Sequence, residues 1–232
     1  MLSAKPWQGE HVIRLLLYLF LGLAIVSVVM DLGRRLIPGE TIEGLMFFFG
    51  TLGVHVSALT AVHFFLRNQG STWSEGFGFR TFPSRALRLG VISSLLIIPI
   101  ALLINGVCVY VYQKFAGEVS LQPAVKVLEE TNSLVEQAGF ALLAVIGAPI
   151  VEEVLFRGIL YPLVKQRGFP RLALYGSAVV FAAVHGHGLT FLPLAFLGVA
   201  LAVLYESADN LLAPIAAHAI FNAANFAWLV ST

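Results

Sequence analysis

Seven long apolar segments dominate the sequence and restrict the chain to a membrane architecture. Each is bounded by charged residues, proline or glycine, and together they cover residues 12–30, 43–66, 87–112, 138–163, 172–186, 190–206 and 210–230. About 20 apolar residues suffice for a helix to cross the hydrocarbon core of a bilayer. Only 12% of the residues are charged, about half the proportion usual in a soluble domain. We therefore predict an all-α polytopic transmembrane helical bundle of about seven spans, with six to eight as the range.

The fifth and sixth segments are short. The link between them, Gly186-His187-Gly188, is tight, which indicates either tilted helices or a hairpin. Two regions follow from the pattern. Residues 1–120 form N-terminal transmembrane helices with an Arg-rich cytoplasmic loop at 67–88, and residues 121–232 form a helical core that carries the candidate site.

The basic residues predict which side of the membrane each loop faces. Lys and Arg in short loops favour the cytoplasm, and a cytoplasmic N-terminus places nine of them inside against four outside. The nine are Lys5, Arg14, Arg67, Arg80, Arg85, Arg88, Lys165, Arg167 and Arg171. The four are Arg34, Arg35, Lys114 and Lys126. We expect an integral membrane protein with a cytoplasmic N-terminus, and the short loops favour a bacterial inner (plasma) membrane.

Charge and cysteine content exclude several classes of function. The net charge of +1 and the absence of a basic stripe in the sequence argue against nucleic acid as a partner. The single cysteine, Cys108, permits neither an internal disulfide nor a zinc site built from cysteines. The expected partners at this point are membrane lipids, and we expect no cofactor.

Two adjacent carboxylates lie in the middle of the fourth apolar segment. Ionisable groups inside a bilayer are costly, so each is a candidate functional residue that needs a partner. On a helix Glu153 and Arg157 are i,i+4 neighbours and can form an ion pair. Glu152 points about 100° away around the helix and has no such partner. We interpret Glu153 and Arg157 as structural support and Glu152 as a candidate catalytic residue.

Two later segments carry histidines. His185 ends the fifth segment, and His187 is interpreted as a boundary residue because an H-x-H pair on a helix points in divergent directions. His218 and Asn222 are i,i+4 neighbours near the C-terminus, so both project from one helix face. Each feature alone is compatible with ordinary hydrogen bonding between helices. Together with Glu152, they favour one shared site.

The residue types in this predicted site suit hydrolysis by activated water. Amide hydrolysis needs a base to deprotonate water and donors to stabilise the developing oxyanion. Glu152 and His185 can serve the water, and His218 and Asn222 can donate to the oxygen. No serine or cysteine lies in these clusters, which argues against an acyl-enzyme. A zinc ion held by Glu152, His185 and His218 is an open alternative, although an HExxH motif is absent from the sequence.

Three motifs, in this order on late segments, resemble one known family. They are Glu152-Glu153-x-x-x-Arg157, Phe181-x-x-x-His185 and His218-x-x-x-Asn222. The family is the CPBP group of intramembrane glutamic endopeptidases, which includes CAAX prenyl proteases and bacteriocin-processing (Abi) proteins. The resemblance covers roughly residues 125–228. One motif alone would be a modest signal, whereas three motifs with compatible spacing are specific.

The resemblance implies a role for each motif. Glu152 and His185 would activate the water, while His218 and Asn222 would form the oxyanion hole. The remaining carboxylate and the arginine of the first motif would hold the shape of the site. The resemblance also implies a conical cavity open to the cytoplasm and to lipid. It implies an intramembrane endopeptidase that cleaves near the C-terminus of a membrane-associated or lipidated, for example prenylated CAAX, protein or peptide. The seven-span topology, in contrast, predicts that His185 lies close to the outer end of its span.

Two other classes of function stay open at this stage. A non-catalytic bacteriocin-immunity or scaffold protein would keep the fold and bind a partner without cleaving it. A proton-coupled transporter would use Glu152 and the histidines as a proton relay, and would be expected to show paired repeats of broken helices. The sequence shows no internal repeat.

Overall fold

The computed structural model describes residues 2–37, 42–117, 125, 126, 128 and 133–231. This part of the chain contains helices and no strand. The helices used below are α1 Gly9–Leu36, α2 Ile42–Asn68, α3 Trp73–Phe77, α4 Pro83–Ala116, α5 Leu134–Lys165, α6 Leu172–Ala183, α7 Phe191–Ala208 and α8 Leu212–Ser231. Among the described residues, all of these except α3 and α6 are long and apolar enough to cross a membrane. The predicted all-α polytopic bundle is therefore confirmed, with six long spans.

The outer faces of the long helices carry large apolar side chains that no other part of the described chain covers. On α1 the only buried residue is Leu15, while Phe20 is 68% exposed. Leu95 on α4 and Trp228 on α8 are 70% and 73% exposed. Continuous apolar surface of this extent is characteristic of contact with lipid rather than water. The protein is an integral membrane protein.

Helix α5 contains two π-helical segments along its length. Its turns are π-helical over Leu143–Gly147 and Val154–Leu160, and α-helical over Ala148–Glu153 between them. Pro149 and Pro162 each follow a π-helical segment closely. A proline ring clashes with the carbonyl four residues earlier and has no N–H to donate, and a wider turn before the proline relieves that clash. Both candidate carboxylates lie in the α-helical stretch between the two wide segments.

Helix α6 folds back along α5 and ends about halfway. Phe156 of α5 and Phe181 of α6 meet edge to face with ring centroids 5.3 Å apart. The same antiparallel register places His185, two residues beyond the end of α6, opposite Glu152. Gly186 takes a positive φ of 64°, a conformation that glycine adopts readily and that ends the helix.

Two expectations about this region need correction. The predicted span 172–186 is a helix of about 18 Å, at 1.5 Å per residue, which is too short to cross a bilayer. His185 does not lie at the outer end of a span, because α6 stops beside the middle of α5. Of the two alternatives for the fifth and sixth segments, tilted helices or a hairpin, the structure has the hairpin, which consists of α6, the link after it and α7.

Several connections meet at one end of the bundle. The backbone N–H of Leu211 donates to the carbonyl of Phe77 at 3.0 Å, and Asn210 Nδ2 donates to the carbonyl of Thr81 at 2.7 Å. Ser3 donates from its N–H and hydroxyl to Asp209. The N-terminal segment, the α3 region and the α7–α8 link therefore lie together. The predicted boundary between residues 120 and 121 falls outside the described residues.

Candidate active site

Glu153 and Arg157 form an ion pair that is enclosed by protein. Arg157 Nη1 lies 2.7 Å from Glu153 Oε1, and the two side chains are 1% and 0% exposed. Arg157 Nη2 also donates to the carbonyl of Gly198 on α7 at 3.2 Å. The guanidinium carbon lies 4.4 Å from the ring centroid of Phe181 on α6, a favourable cation–π distance. One arginine thus connects α5, α6 and α7.

His218 lies between the two carboxylates. Its Nδ1 is 2.9 Å from Glu153 Oε1, and its Nε2 is 3.7 Å from Glu152 Oε2. The side chain of His218 is only 3% exposed. Because the carboxylate of Glu153 accepts hydrogen bonds, Nδ1 of His218 carries a proton, and the ring is held with Nε2 directed to Glu152. Glu153 therefore orients His218 as well as pairing with Arg157.

His185 approaches the same carboxylate from α6. Its Nδ1 lies 2.7 Å from the carbonyl oxygen of Phe181, and its Nε2 lies 4.0 Å from Glu152 Oε2. A carbonyl oxygen can only accept, so Nδ1 of His185 carries the proton. In the neutral ring Nε2 then presents a lone pair to Glu152.

These contacts converge on one oxygen atom. Glu152 Oε2 is shielded from solvent and has no hydrogen-bond partner within the described part of the chain, although the Glu152 side chain as a whole is 25% exposed. Two imidazole nitrogens face it at 3.7 and 4.0 Å. These separations exceed a direct hydrogen bond. The Glu152 side chain is thus partly exposed, while its Oε2 atom faces the two imidazoles inside the protein.

Asn222 contacts α5 in the first π-helical segment, which precedes the two carboxylates in the chain. Its Nδ2 donates to the carbonyl of Ala144 at 2.8 Å. That carbonyl lacks a donor from its own helix, because the N–H of Ala148 bonds to Leu143 instead and the next residue, Pro149, has none. Nδ2 carries two hydrogens, so one remains for another acceptor.

The structure brings three of the four predicted catalytic side chains, Glu152, His185 and His218, around one point. Asn222 lies one turn beyond His218 and binds α5. His187 lies in the α6–α7 link, where its ring contacts the hydroxyl of Thr190 at 3.3 Å.

Sequence reasoning missed the backbone partners of the site. The carbonyls of Phe181, Ala144 and Gly198 each hold one of its polar side chains. For Phe181 a signal was present, since it precedes His185 by one helical turn. For Ala144 the signal was the proline five residues later. No sequence feature indicated Gly198.

One comparison with known proteins covers this part of the chain. The family model described as type II CAAX prenyl endopeptidase, Rce1-like, matches residues 134–224, which include α5, α6, α7 and all four predicted catalytic residues. No curated protein and no solved structure matches the chain. Residues 134–224 of this chain are therefore similar to the type II CAAX prenyl endopeptidases of the Rce1-like family.

Proposed function

We propose that the protein hydrolyses a peptide bond near the C-terminus of a membrane-associated protein or peptide, with Glu152 as the base that activates water. The observation that carries the proposal is the convergence of two oriented imidazoles on the unpartnered oxygen of Glu152. The match of residues 134–224 to the Rce1-like family model supports proteolysis in general. The glutamate mechanism and the substrate are the parts that experiment must establish.

The first step follows from the hydrogen-bonding capacities of the groups. Glu152 Oε2 and the lone pair of His185 Nε2 both accept, and they face each other at 4.0 Å. A water between them donates one hydrogen to each and keeps a lone pair for attack on the substrate carbonyl carbon. Glu152 takes the proton as the new carbon–oxygen bond forms.

The tetrahedral oxygen needs donors on the other side. With both ring nitrogens protonated, His218 donates through Nδ1 to Glu153 and through Nε2 to that oxygen. This state also balances charge, because the carboxylate of Glu153 and the oxyanion then face His218 and Arg157. The second hydrogen of Asn222 Nδ2 is the other donor. When the carbon–nitrogen bond breaks, the proton held by Glu152 passes to the leaving amine.

The substrate class follows from the membrane setting and the family. A peptide carried by a lipid anchor, such as a prenylated CAAX sequence, would bring a scissile bond to a site enclosed by apolar helices. We place the N-terminus, the α3 region and the α7–α8 link in the cytoplasm, where the basic residues near them satisfy the positive-inside rule. A bacterial inner membrane is the proposed location.

The test uses purified protein in liposomes with a fluorogenic farnesylated CAAX peptide. Glu152→Gln keeps the shape but not the base, and we expect the cleavage rate to fall about 10²–10⁴-fold. His185→Gln should lower the rate, while His187→Gln is the matched control because it lies two residues away and contacts Thr190. A non-prenylated peptide of the same sequence tests the requirement for the lipid.

Chelators separate a water-activating glutamate from a metal site. A histidine that contacts a carboxylate through its other nitrogen is also the usual arrangement around a zinc ligand, so EDTA and 1,10-phenanthroline form a separate arm. Cleavage that requires Glu152 and persists in chelator supports the proposal. Loss of cleavage in chelator would transfer the chemistry to a metal. Full activity of Glu152→Gln, or substrate binding without cleavage by the wild type, would refute it.

A further inference from the structure

We propose that Trp7 is a positioning residue for the catalytic helix, acting through a hydrogen bond to the carbonyl of Gly158. This inference rests on the proposed function, because what it positions is the stretch of α5 that carries Glu152 and Glu153. Trp7 lies outside the membrane-spanning helices, in the segment without regular secondary structure that precedes α1. Its indole Nε1 donates to Gly158 at 2.8 Å across 151 positions of sequence.

The indole of Trp7 is buried between two aromatic side chains. The residue is 8% exposed, and its ring centroid lies 5.1 Å from that of Phe65 on α2 and 6.2 Å from that of Phe77 on α3. A ring fixed by two aromatic neighbours can hold its N–H in one direction. The N-terminal segment therefore presents a rigid donor to α5.

At Gly158 a proline removes one of the two helical donors that the carbonyl could have. In α-helical geometry the carbonyl would accept from residue 162, which is Pro162 and has no N–H. In π-helical geometry, which this segment has, it would accept from residue 163. No larger side chain fits at this position, because a Cβ on Gly158 would lie 2.6 Å from Phe77 Cε1. The close approach of α3 that requires glycine is also what allows the indole to reach the carbonyl.

Each end of the catalytic stretch of α5 has a backbone carbonyl that accepts a hydrogen bond from a side chain outside the helix. At its start, Asn222 donates to the carbonyl of Ala144, which Pro149 leaves without an N–H partner. At its end, Trp7 donates to the carbonyl of Gly158, which loses its α-helical donor to Pro162. These carbonyls lie within the two π-helical segments, where the winding of the helix is most easily changed. The two donors fix that winding and hence the direction in which the carboxylates point.

The inference predicts a loss of turnover without a loss of substrate binding. Trp7→Phe keeps an aromatic ring and removes the donor; benzothienylalanine at position 7 keeps the indole shape without the N–H. We expect kcat to fall about 10- to 100-fold, the effect of a small misplacement of catalytic groups, with KM within twofold. Trp73→Phe is the matched control, since Trp73 donates to His63 at 3.4 Å in an exposed setting, and its kcat should stay within twofold.

A second variant, Pro162→Ala, tests whether the hydrogen bond to Gly158 is what Trp7 contributes. Pro162→Ala supplies an N–H four residues after Gly158, so Trp7→Phe should lower kcat much less in that background than in the wild type. Equal losses in both backgrounds, an effect on KM alone, or an unchanged kcat in the benzothienylalanine protein would overturn the inference.

Hydrogen exchange separates this inference from the proposed function. In liposomes, amides of residues 150–165 should exchange faster in the benzothienylalanine protein than in Trp73→Phe. That result with an inactive wild type would retain the role of Trp7 and reject the proposed reaction. Unchanged exchange in an active enzyme would reject the role of Trp7 alone.

Discussion

Replacing Arg157 with methionine should destabilise the protein far more than removal of an ordinary helix ion pair. Arg157 and Glu153 are 1% and 0% exposed, so the change leaves an ionised carboxylate without its compensating charge. It also removes the hydrogen bond to Gly198 and the contact with the Phe181 ring. Breaking one side of a buried pair costs about 3–5 kcal/mol. We expect a loss of that size in the free energy of unfolding.

The chain contains a control with the same spacing in an exposed setting. Arg35 and Asp31 pair at 2.9 Å with side chains 74% and 60% exposed, and Arg35→Met should cost about 0.3–0.5 kcal/mol, as exposed i,i+4 pairs do. The double variant Glu153→Gln/Arg157→Met should recover most of the stability, because no isolated charge stays buried and a glutamine oxygen still accepts from His218.

Reversible unfolding by SDS in mixed micelles measures these three free energies on one scale. The reasoning would be refuted if Arg157→Met lost no more stability than Arg35→Met. It would also be refuted if the double variant were as unstable as Arg157→Met alone, since the cost would then arise from lost packing and not from an uncompensated charge.

Two further predictions concern the packing and the connections around the site. Gly198→Ala places a Cβ 2.9 Å from the Cα of Ala178, so we expect overpacking between α6 and α7 to lower the free energy of unfolding by about 1–3 kcal/mol in the same SDS assay. Gly106→Ala is the control: its Cβ meets nothing within 4 Å, and the free energy of unfolding should not change. Hydrogen bonds from Thr72 lower the pKa of Glu75, so the ionised Glu75 stabilises α3 fully above the ordinary pKa of 4.5, and this stabilisation is lost as the pH falls through the lowered pKa. Hydrogen-exchange protection of residues 73–79 should fall over the same pH range. Thr72→Val should move the midpoint of that loss of protection up towards pH 4.5.

The sequence was sufficient to predict the fold class and to select the polar side chains of the site. Long apolar segments have few alternatives to membrane helices, because backbone polar groups in lipid must be satisfied within the helix. Glu152, His185 and His218 stood out because each is a costly residue in an apolar segment. Their convergence in the structure follows from the antiparallel register of α5 and α6 and from the position of α8. Their catalytic roles stay predictions.

The length of α6 and the backbone contacts could not be predicted with the same rules. Hydropathy alone extends the fifth segment to residue 186, whereas the helix ends at Ala183 and a positive φ follows at Gly186. The backbone carbonyls that hydrogen-bond His185 and Asn222 could not be predicted from residue types, because every residue has a backbone carbonyl. Pro149 and Pro162 offered a partial signal, because each proline removes a donor from its helix at a known offset.

The shortness of α6 also bears on hydration. Residues 184–186 leave helical geometry opposite Glu152, about 20 Å along α5 from Lys165 at 1.5 Å per residue, and they are exposed in the structure. Irregular backbone at membrane depth is tolerated only where protein covers it or water reaches it. A helix that stops halfway therefore makes a wet pocket within an apolar bundle, and a hydrolase surrounded by lipid depends on such a supply of its second substrate.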